Sequence, residues 1–288
     1  MTTASASDRP VLEVGNLRVS VGRGAAEAVR EVSFTVRAGQ SVGLVGESGS
    51  GKTLTCRAVL GLPAPGVEAA ADTLALGGTD LLGLDGRGWQ RLRGTRLGAV
   101  FQDPGSYLNP SLTVGRQLAE PLRVHGGLSR ADARRRAVEL FDSVGLRDPD
   151  AVYDRYPHEL SGGMLQRVLI AVAVSGDPDL LVADEATTAL DTVVQAEVLD
   201  LLARLREERG LGLLLVSHDL AVVADATDRL LVLYAGEVVE DGPTASVVAA
   251  PAHPYTEAQL ARARRGGGPP PRVPVIPGRP PPPRPPPP

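Results

Sequence analysis

The sequence predicts an α/β fold with a mainly parallel sheet, and three observations carry that prediction. Short apolar runs alternate with helix-period segments over most of the chain, the pattern of strands joined by crossover helices. One run, Ser41 to Val45, feeds directly into Gly46-Glu47-Ser48-Gly49-Ser50-Gly51-Lys52-Thr53, a complete G-x-x-x-x-G-K-[ST] turn placed between a strand and a helix. From Gln102 to the pair Gly162-Gly163 helical spacing takes over, which reads as a helical lobe inserted into the core.

Taken in order, Val11 to Val19 alternates loosely and Glu31 to Val36 cleanly, with Val32, Phe34 and Val36 on one face, so two strands precede the loop strand. Arg37-Ala38-Gly39-Gln40 supplies the turn into Ser41. A helix is expected after Thr53, through Val59 and Leu60, stopped at Gly61-Leu62-Pro63. A polar stretch runs to about Arg96 without an expected element, and Leu97 to Phe101 reads as a strand ending at Gln102. In the lobe, Ser129 and Asp132 fit a capping box, and Ala133, Ala137, Leu140, Phe141 and Val144 recur at helical spacing before Gly145. Met164 to Val174 is a helix leading into the strand Leu180 to Ala183, which ends at Asp184-Glu185. Thr192 to Arg209 is an amphipathic helix, and Leu211 to Val216 a buried strand ending at Ser217-His218-Asp219. Leu230 to Tyr234 and Val238 to Glu240 close as a hairpin across Ala235-Gly236-Glu237.

With 288 residues, 43% of them hydrophobic, the chain can bury a sizeable core as one large or two small domains. A net charge of −4 gives no basic field, so nucleic acid is not an expected partner. Arg134-Arg135-Arg136 reads as the solvated face of a helix. The single Cys56 excludes an internal disulfide or a cysteine metal site and reads as core packing. Met1 to Pro10 lacks a signal-peptide pattern, and no apolar run nears the roughly 18 residues that span a bilayer, so a cytoplasmic location is expected. Gly266 to Pro288 holds 13 of the 25 prolines; it is expected to be disordered or polyproline II, a solvated extension rather than a ligand for a proline-binding domain.

The chemistry starts at the loop. Glycines at 46, 49 and 51 let backbone N–H groups point at a polyphosphate, and the following helix brings its positive end to the same anion. Lys52 would reach the β- and γ-phosphates and the Thr53 hydroxyl would ligate Mg²⁺. Lys52 is the only lysine among thirty Lys and Arg residues, retained where a compact point charge is needed and a planar guanidinium fits poorly. Leu180 to Ala183 then feeds two carboxylates at a strand end, an expensive placement unless something cationic sits opposite. Asp184 would face Mg²⁺ through water, and Glu185 would polarise the attacking water as general base. His218, at another strand end, could hydrogen-bond the γ-phosphate and that water. A phosphate loop alone leaves a kinase, GTPase, helicase or transport motor open.

Four further segments narrow this. Tyr156-Pro157-His158-Glu159-Leu160-Ser161-Gly162-Gly163-Met164 resembles the signature segment of ABC-type ATPases. Ala183 to Asp191 (ADEATTALD) resembles that superfamily's second phosphate-site motif running into its D-loop, Val100-Phe101-Gln102-Asp103-Pro104 its Q-loop, and Ser217-His218-Asp219 its switch histidine. Together they span roughly residues 11 to 250. The resemblance implies a P-loop ATPase core with an N-terminal antiparallel β subdomain and an α-helical subdomain inserted at about 103–165. It sets the ATPase domain at 8–250, the start of a C-terminal extension at 251–265 and the proline-rich tail at 266–288. It implies ATP and Mg²⁺ as cofactors. The nucleotide would sit on Gly46, Glu47, Ser48, Gly49, Ser50, Gly51, Lys52 and Thr53, and the metal on Thr53, Gln102 and Asp184. Glu185, His218 and Gln102 would be catalytic. Two subunits would close head to tail over two ATP molecules, with Ser161, Gly162, Gly163 and Met164 completing the other subunit's site and Asp191 communicating across the interface. Gln102 would sense the γ-phosphate and move the lobe, which would receive a permease helix near Tyr107 to Leu112.

Arg155 to Leu160 (RYPHEL), Phe101 to Pro110 (FQDPGSYLNP) and His253-Pro254-Tyr255-Thr256 are similar to the ATPases of oligopeptide, dipeptide and nickel importers. This implies a motor subunit peripheral on the cytoplasmic face of the membrane. Its partners would be transmembrane permease subunits, a second ABC ATPase (homodimer or sister subunit) and, indirectly, a solute-binding protein. The alternative is a soluble ABC ATPase acting on nucleic acid or ribosomes, whose usual insertions or second ATPase half are missing. Some positions depart from the pattern. Val21 stands where an aromatic ring is expected against adenine, leaving Arg23 or a partner residue to cover the base; Leu165 replaces an arginine and Ala186 a proline. Val275-Ile276-Pro277-Gly278 resembles the start of the subfamily's extension but continues into proline instead of a cysteine-containing stretch.

Overall fold

The computed structural model describes residues 10–22, 26–187 and 190–263. The expectations for Met1 to Arg9, Arg23, Thr188-Ala189 and the proline-rich tail lie outside these residues. Two compact units form, Met1–Leu84 with Gly212–Pro288, and Asp85–Leu211. The first unit opens with β1 (Pro10–Val21), β2 (Ala26–Arg37), β3 (Ser41–Val45), α1 (Lys52–Val59), β4 (Val67–Ala70), β5 (Thr73–Leu76) and β6 (Thr79–Asp80). The second contains α2 (Gly86–Leu92), β7 (Leu97–Val100), α3 (Pro104–Tyr107), α4 (Val114–Val124), α5 (Arg130–Ser143), α6 (Pro149–Tyr153), a 3-10 turn at Pro157–Glu159, α7 (Gly162–Ala173), β8 (Leu180–Asp184) and α8 (Thr192–Arg209). The chain then returns to the first unit with β9 (Gly212–Ser217), α9 (Leu220–Ala226), β10 (Arg229–Tyr234), β11 (Glu237–Pro243), α10 (Thr244–Ala249) and α11 (Pro254–Ala263).

In the first unit β1 is the spine of an antiparallel sheet, paired with β2 along its length, with β5 from Leu12 to Gly15 and with β4 from Arg18 to Val21. A second set of strands runs in the order β11-β10-β3-β9. Here β3 is parallel to both neighbours and β11 returns antiparallel along β10. All residues of β3 and β9 are buried, which is why both read as continuous apolar runs without alternation. Gly43 lets α9 close over β3, because a Cβ there would lie 2.0 Å from Val223 Cγ1. Asp228 ties the start of β10 to β3, its carboxylate accepting from the Ser41 N–H and hydroxyl, each at 2.8 Å.

In the second unit β7 and β8 pair in parallel from Leu97↔Leu180 to Val100↔Ala183. Gly98 admits the end of α7, whose Ala173 carbonyl oxygen would be 2.5 Å from any Cβ. The lobe packs around Leu118, Leu140 and the fully buried Phe141. Ser129 caps α5 by accepting from the Asp132 N–H at 3.2 Å, while its hydroxyl donates to the Asp132 carboxylate at 2.7 Å. Arg134, Arg135 and Arg136 pair with Asp154, Asp132 and Glu139 at 3.1, 2.8 and 3.2 Å, a solvated face as its spacing implied.

The polar stretch between Pro63 and Arg96, where the sequence pattern names no element, is structured. It holds β4, β5, β6 and α2. Only Leu74 and Leu76 of the three strands are buried hydrophobic residues. Pairing of β4 and β5 with β1 defines them, rather than any apolar period of their own. The short helices α9, α10 and α11 also form without an expected counterpart. Among the described residues no helix is long and apolar enough to cross a membrane.

Candidate nucleotide site

The loop between β3 and α1 is shaped by close contacts at its two ends. Gly46 has no space for a side chain, since a Cβ would meet the Leu233 carbonyl oxygen at 2.2 Å and Ser50 Oγ at 2.6 Å. Gly51, at φ +106°, lies under the Ala28 carbonyl, 2.9 Å from any added Cβ. Gly49 is the open point of the turn, with φ +83° and nothing within 4 Å. The buried Lys52 ammonium donates to the carbonyls of Gly46 at 2.7 Å and Glu47 at 2.9 Å, so the loop is wound around its own cation. No side chain caps the N-terminus of α1, and Ser50 Oγ is buried without a hydrogen-bond partner. This donor set (uncapped helix N–H groups, an ammonium and an orphan hydroxyl) fits a polyphosphate. Thr53 is exposed one residue into the helix.

His218 leaves β9 beside the loop: Val45 and Ser217 are opposite one another in the parallel β3–β9 pair. The imidazole is exposed. Asp219 caps α9 by accepting from the Ala221 N–H at 2.9 Å, which fixes the turn that carries His218.

The second unit gathers the remaining residues in two places. Val100 and Ala183 are opposed in the β7–β8 pair, so Gln102 and the Asp184-Glu185 pair emerge from adjacent strand ends. Asp184 is buried and Glu185 half-buried. Glu185 sits at φ +50°, a left-handed conformation costing a non-glycine residue about 1 kcal/mol or more. Elsewhere, Ser161 caps α7 by accepting from the Met164 N–H at 3.3 Å, leaving Ser161 and Gly162 exposed. Asp191 caps α8 through the N–H groups of Val193 and Val194 at 3.1 and 3.0 Å. The two helix starts pack together, a Cβ on Gly163 falling 2.7 Å from Val194 Cγ1. Among the described residues no group of three or more His, Cys, Asp and Glu side chains could hold a metal ion. An Mg²⁺ ion would therefore depend on oxygen ligands from phosphate and water, as it commonly does.

A family model described as ABC transporter matches residues 29–188, from β2 through the segment after β8. The chain belongs to the ABC transporter family. A putative peptide import ATP-binding protein of Brucella melitensis is 46% identical over 261 residues, 90% of this chain and 79% of that protein. The dipeptide transport ATP-binding protein of Lactococcus lactis is 43% identical over 253 residues, 87% and 72% of the two chains. A dimeric ATP-binding cassette solved in a post-hydrolysis state with ADP and Pi is 28% identical, with a TM-score of 0.68 over 81% of this chain and 98% of that one. cbiO1 from Clostridium perfringens, part of a cbiONQ ABC transporter complex, gives a TM-score of 0.74 over 89% and 96%, and at 23% identity it supports the fold alone. This ABC protein is thus an ATP-binding and ATP-hydrolysing subunit. Its Val21 is 39% exposed at the end of β1, with no ring to offer a base.

Sequence reasoning missed one feature of the site. The Tyr255 hydroxyl accepts a hydrogen bond from the Glu47 N–H at 2.8 Å. The only sequence signal was the His253–Thr256 segment, which marked a resemblance and carried no role.

Proposed function

We propose that this chain is the ATP-hydrolysing motor subunit of a peptide importer, held peripherally on the cytoplasmic face of the membrane by permease subunits and working as a dimer with itself or a sister ATPase. The observation that carries it is Lys52, enclosed by two loop carbonyls at the uncapped start of α1. The names of the relatives favour peptides over nickel as the solute. Residues 8–250 form the ATPase domain on this reading, with the helical subdomain at 103–165.

The loop N–H groups of residues 46–53 and the Lys52 ammonium bind the ATP phosphates. Thr53, Gln102 and Asp184 would hold Mg²⁺, which would neutralise phosphate charge. Glu185 takes a proton from the water whose oxygen attacks the γ-phosphorus, while the bond to the β–γ bridging oxygen breaks and ADP leaves. His218 hydrogen-bonds the γ-phosphate. Ser161, Gly162, Gly163 and Met164 of a second subunit close over the same phosphates with a hydroxyl and a helix N-terminus, and Asp191 links the two sites. Gln102 couples γ-phosphate to the lobe, which receives the permease near Tyr107 to Leu112. A solute-binding protein delivers peptide to the permease without touching this chain.

The test is reconstitution with the permease and binding protein in vesicles. ATP hydrolysis should rise on addition of peptide and drive peptide uptake, and Lys52→Ala should abolish both by weakening ATP binding by about 1.5 to 3 kcal/mol, roughly 10- to 150-fold. Peptide-independent hydrolysis without uptake would refute the importer assignment.

A further inference from the structure

Every polar group of Glu47 is held by a neighbour. Its carbonyl accepts from Lys52 Nζ at 2.9 Å, its N–H donates to the Tyr255 hydroxyl at 2.8 Å, and its carboxylate accepts from Gln259 Nε2 at 3.1 Å. The last two partners lie one turn apart on α11, more than 200 residues away in sequence. An acidic side chain inside a phosphate loop repels the anion that the loop is built to hold, and the repulsion grows where solvent is excluded. Fixing that carboxylate on a neutral amide keeps it on the α11 side, and fixing the N–H fixes the peptide plane next to Gly46.

The helix that does this is itself anchored. Tyr255 is 3% exposed, and its ring lies against Tyr234 at 4.6 Å between centroids. Tyr234 ends β10 next to Leu233, the residue whose carbonyl abuts Gly46. The entry to α11 is fastened to β11 by Glu240, which accepts from the N–H groups of Ala252 at 2.8 Å and His253 at 3.3 Å. His253 Nδ1 in turn accepts from the Tyr255 N–H at 3.1 Å. Burial pushes the Tyr255 phenol above its ordinary value.

We infer that Tyr255 and Gln259 are positioning residues of the ATP site, setting the affinity of the phosphate loop for ATP by holding the backbone and the carboxylate of Glu47. This rests on the reading of residues 46–53 as the ATP loop. Neither residue touches the reacting atoms, so the effect belongs to nucleotide binding and leaves the hydrolytic step alone. Tyr255→Phe removes the hydroxyl that meets the Glu47 N–H and the Gln259 side chain and keeps the ring packing; Gln259→Ala removes the tie on the carboxylate at a half-buried position.

The experiment uses the full chain and measures the Kd of a fluorescent ATP analogue together with KM and kcat for ATP. Tyr255→Phe should weaken binding about fivefold, the equivalent of about 1 kcal/mol for one hydrogen bond, with KM rising in step and kcat unchanged within about twofold. Tyr234→Phe, which keeps the ring pair, should bind as the unsubstituted chain does. Gln259→Ala should weaken binding in the native background and clearly less in a Glu47→Ala background, because it acts mainly through the carboxylate and also touches the Tyr255 hydroxyl. Tyr255→Phe should keep its effect there, because it acts through the backbone. If Tyr255→Phe does not fold, the Gln259 and Glu47 cycle decides alone. Unchanged affinity in Tyr255→Phe and Gln259→Ala, or a fall in kcat at constant KM, overturns the inference while leaving the loop as an ATP site. Failure of the unsubstituted chain to bind nucleotide overturns the reading of the loop and the inference with it.

Discussion

Gly46 illustrates how tightly single residues are set in this loop. An added Cβ would meet a backbone oxygen of Leu233 at 2.2 Å, and a strand carbonyl cannot yield as a flexible side chain would. Gly46→Ala is expected to lower stability by about 1 to 3 kcal/mol and to reduce nucleotide binding with it, checked by a melting curve beside an ATP titration. Wild-type binding in the variant would mean that the loop can move away from β10 at little cost. The left-handed backbone at Glu185 is the other residue-scale feature. A sequence-level reading of Asp184-Glu185 as chemistry gives no hint of it, because left-handed backbone is signalled by glycine, asparagine or aspartate and here the residue is glutamate.

Between elements, burial decides what was legible. Strands β3, β8 and β9 are buried along their whole length, so their apolar runs stood out and their boundaries were read to within a residue or so. Helix α8 coincides with the amphipathic span Thr192–Arg209, and Asp191 caps its start while Gly210 ends it in left-handed backbone. Strand β4 is nearly all exposed and owes its existence to the edge of β1, a non-local partner that a local pattern cannot reveal. Helices α9 and α10, of seven and six residues, are too short for a periodic signal to accumulate. In the lobe, Phe141 is fully buried on α5, one face of which was visible as Ala133, Ala137, Leu140 and Phe141. Phe141→Ala is expected to destabilise by about 3 to 5 kcal/mol, measured by denaturant unfolding. A cost under about 1 kcal/mol would mean that the lobe is not packed around this ring.

At the scale of the molecule, the residues of the proposed site are divided between the two units. The first holds the loop and His218 at neighbouring strand ends; the second holds Gln102 with Asp184 and Glu185, and the exposed start of α7 beside α8. Residue identities and spacings made these groups readable in the sequence, because phosphate and cation chemistry demands particular side chains at strand and helix ends. The brace from α11 was not readable in the same way, since its hydrogen bonds to Glu47 join residues 208 and 212 positions apart and neither tyrosine nor glutamine announces such a role. The central claim is that the chain binds ATP on residues 46–53 and hydrolyses it with Glu185 as base. The most direct test measures ATP bound per chain and phosphate released for Glu185→Gln beside the unsubstituted protein. The account predicts unchanged binding with turnover reduced by about 10²- to 10⁴-fold, the scale of a lost general base. Turnover that persists in the variant would contradict it.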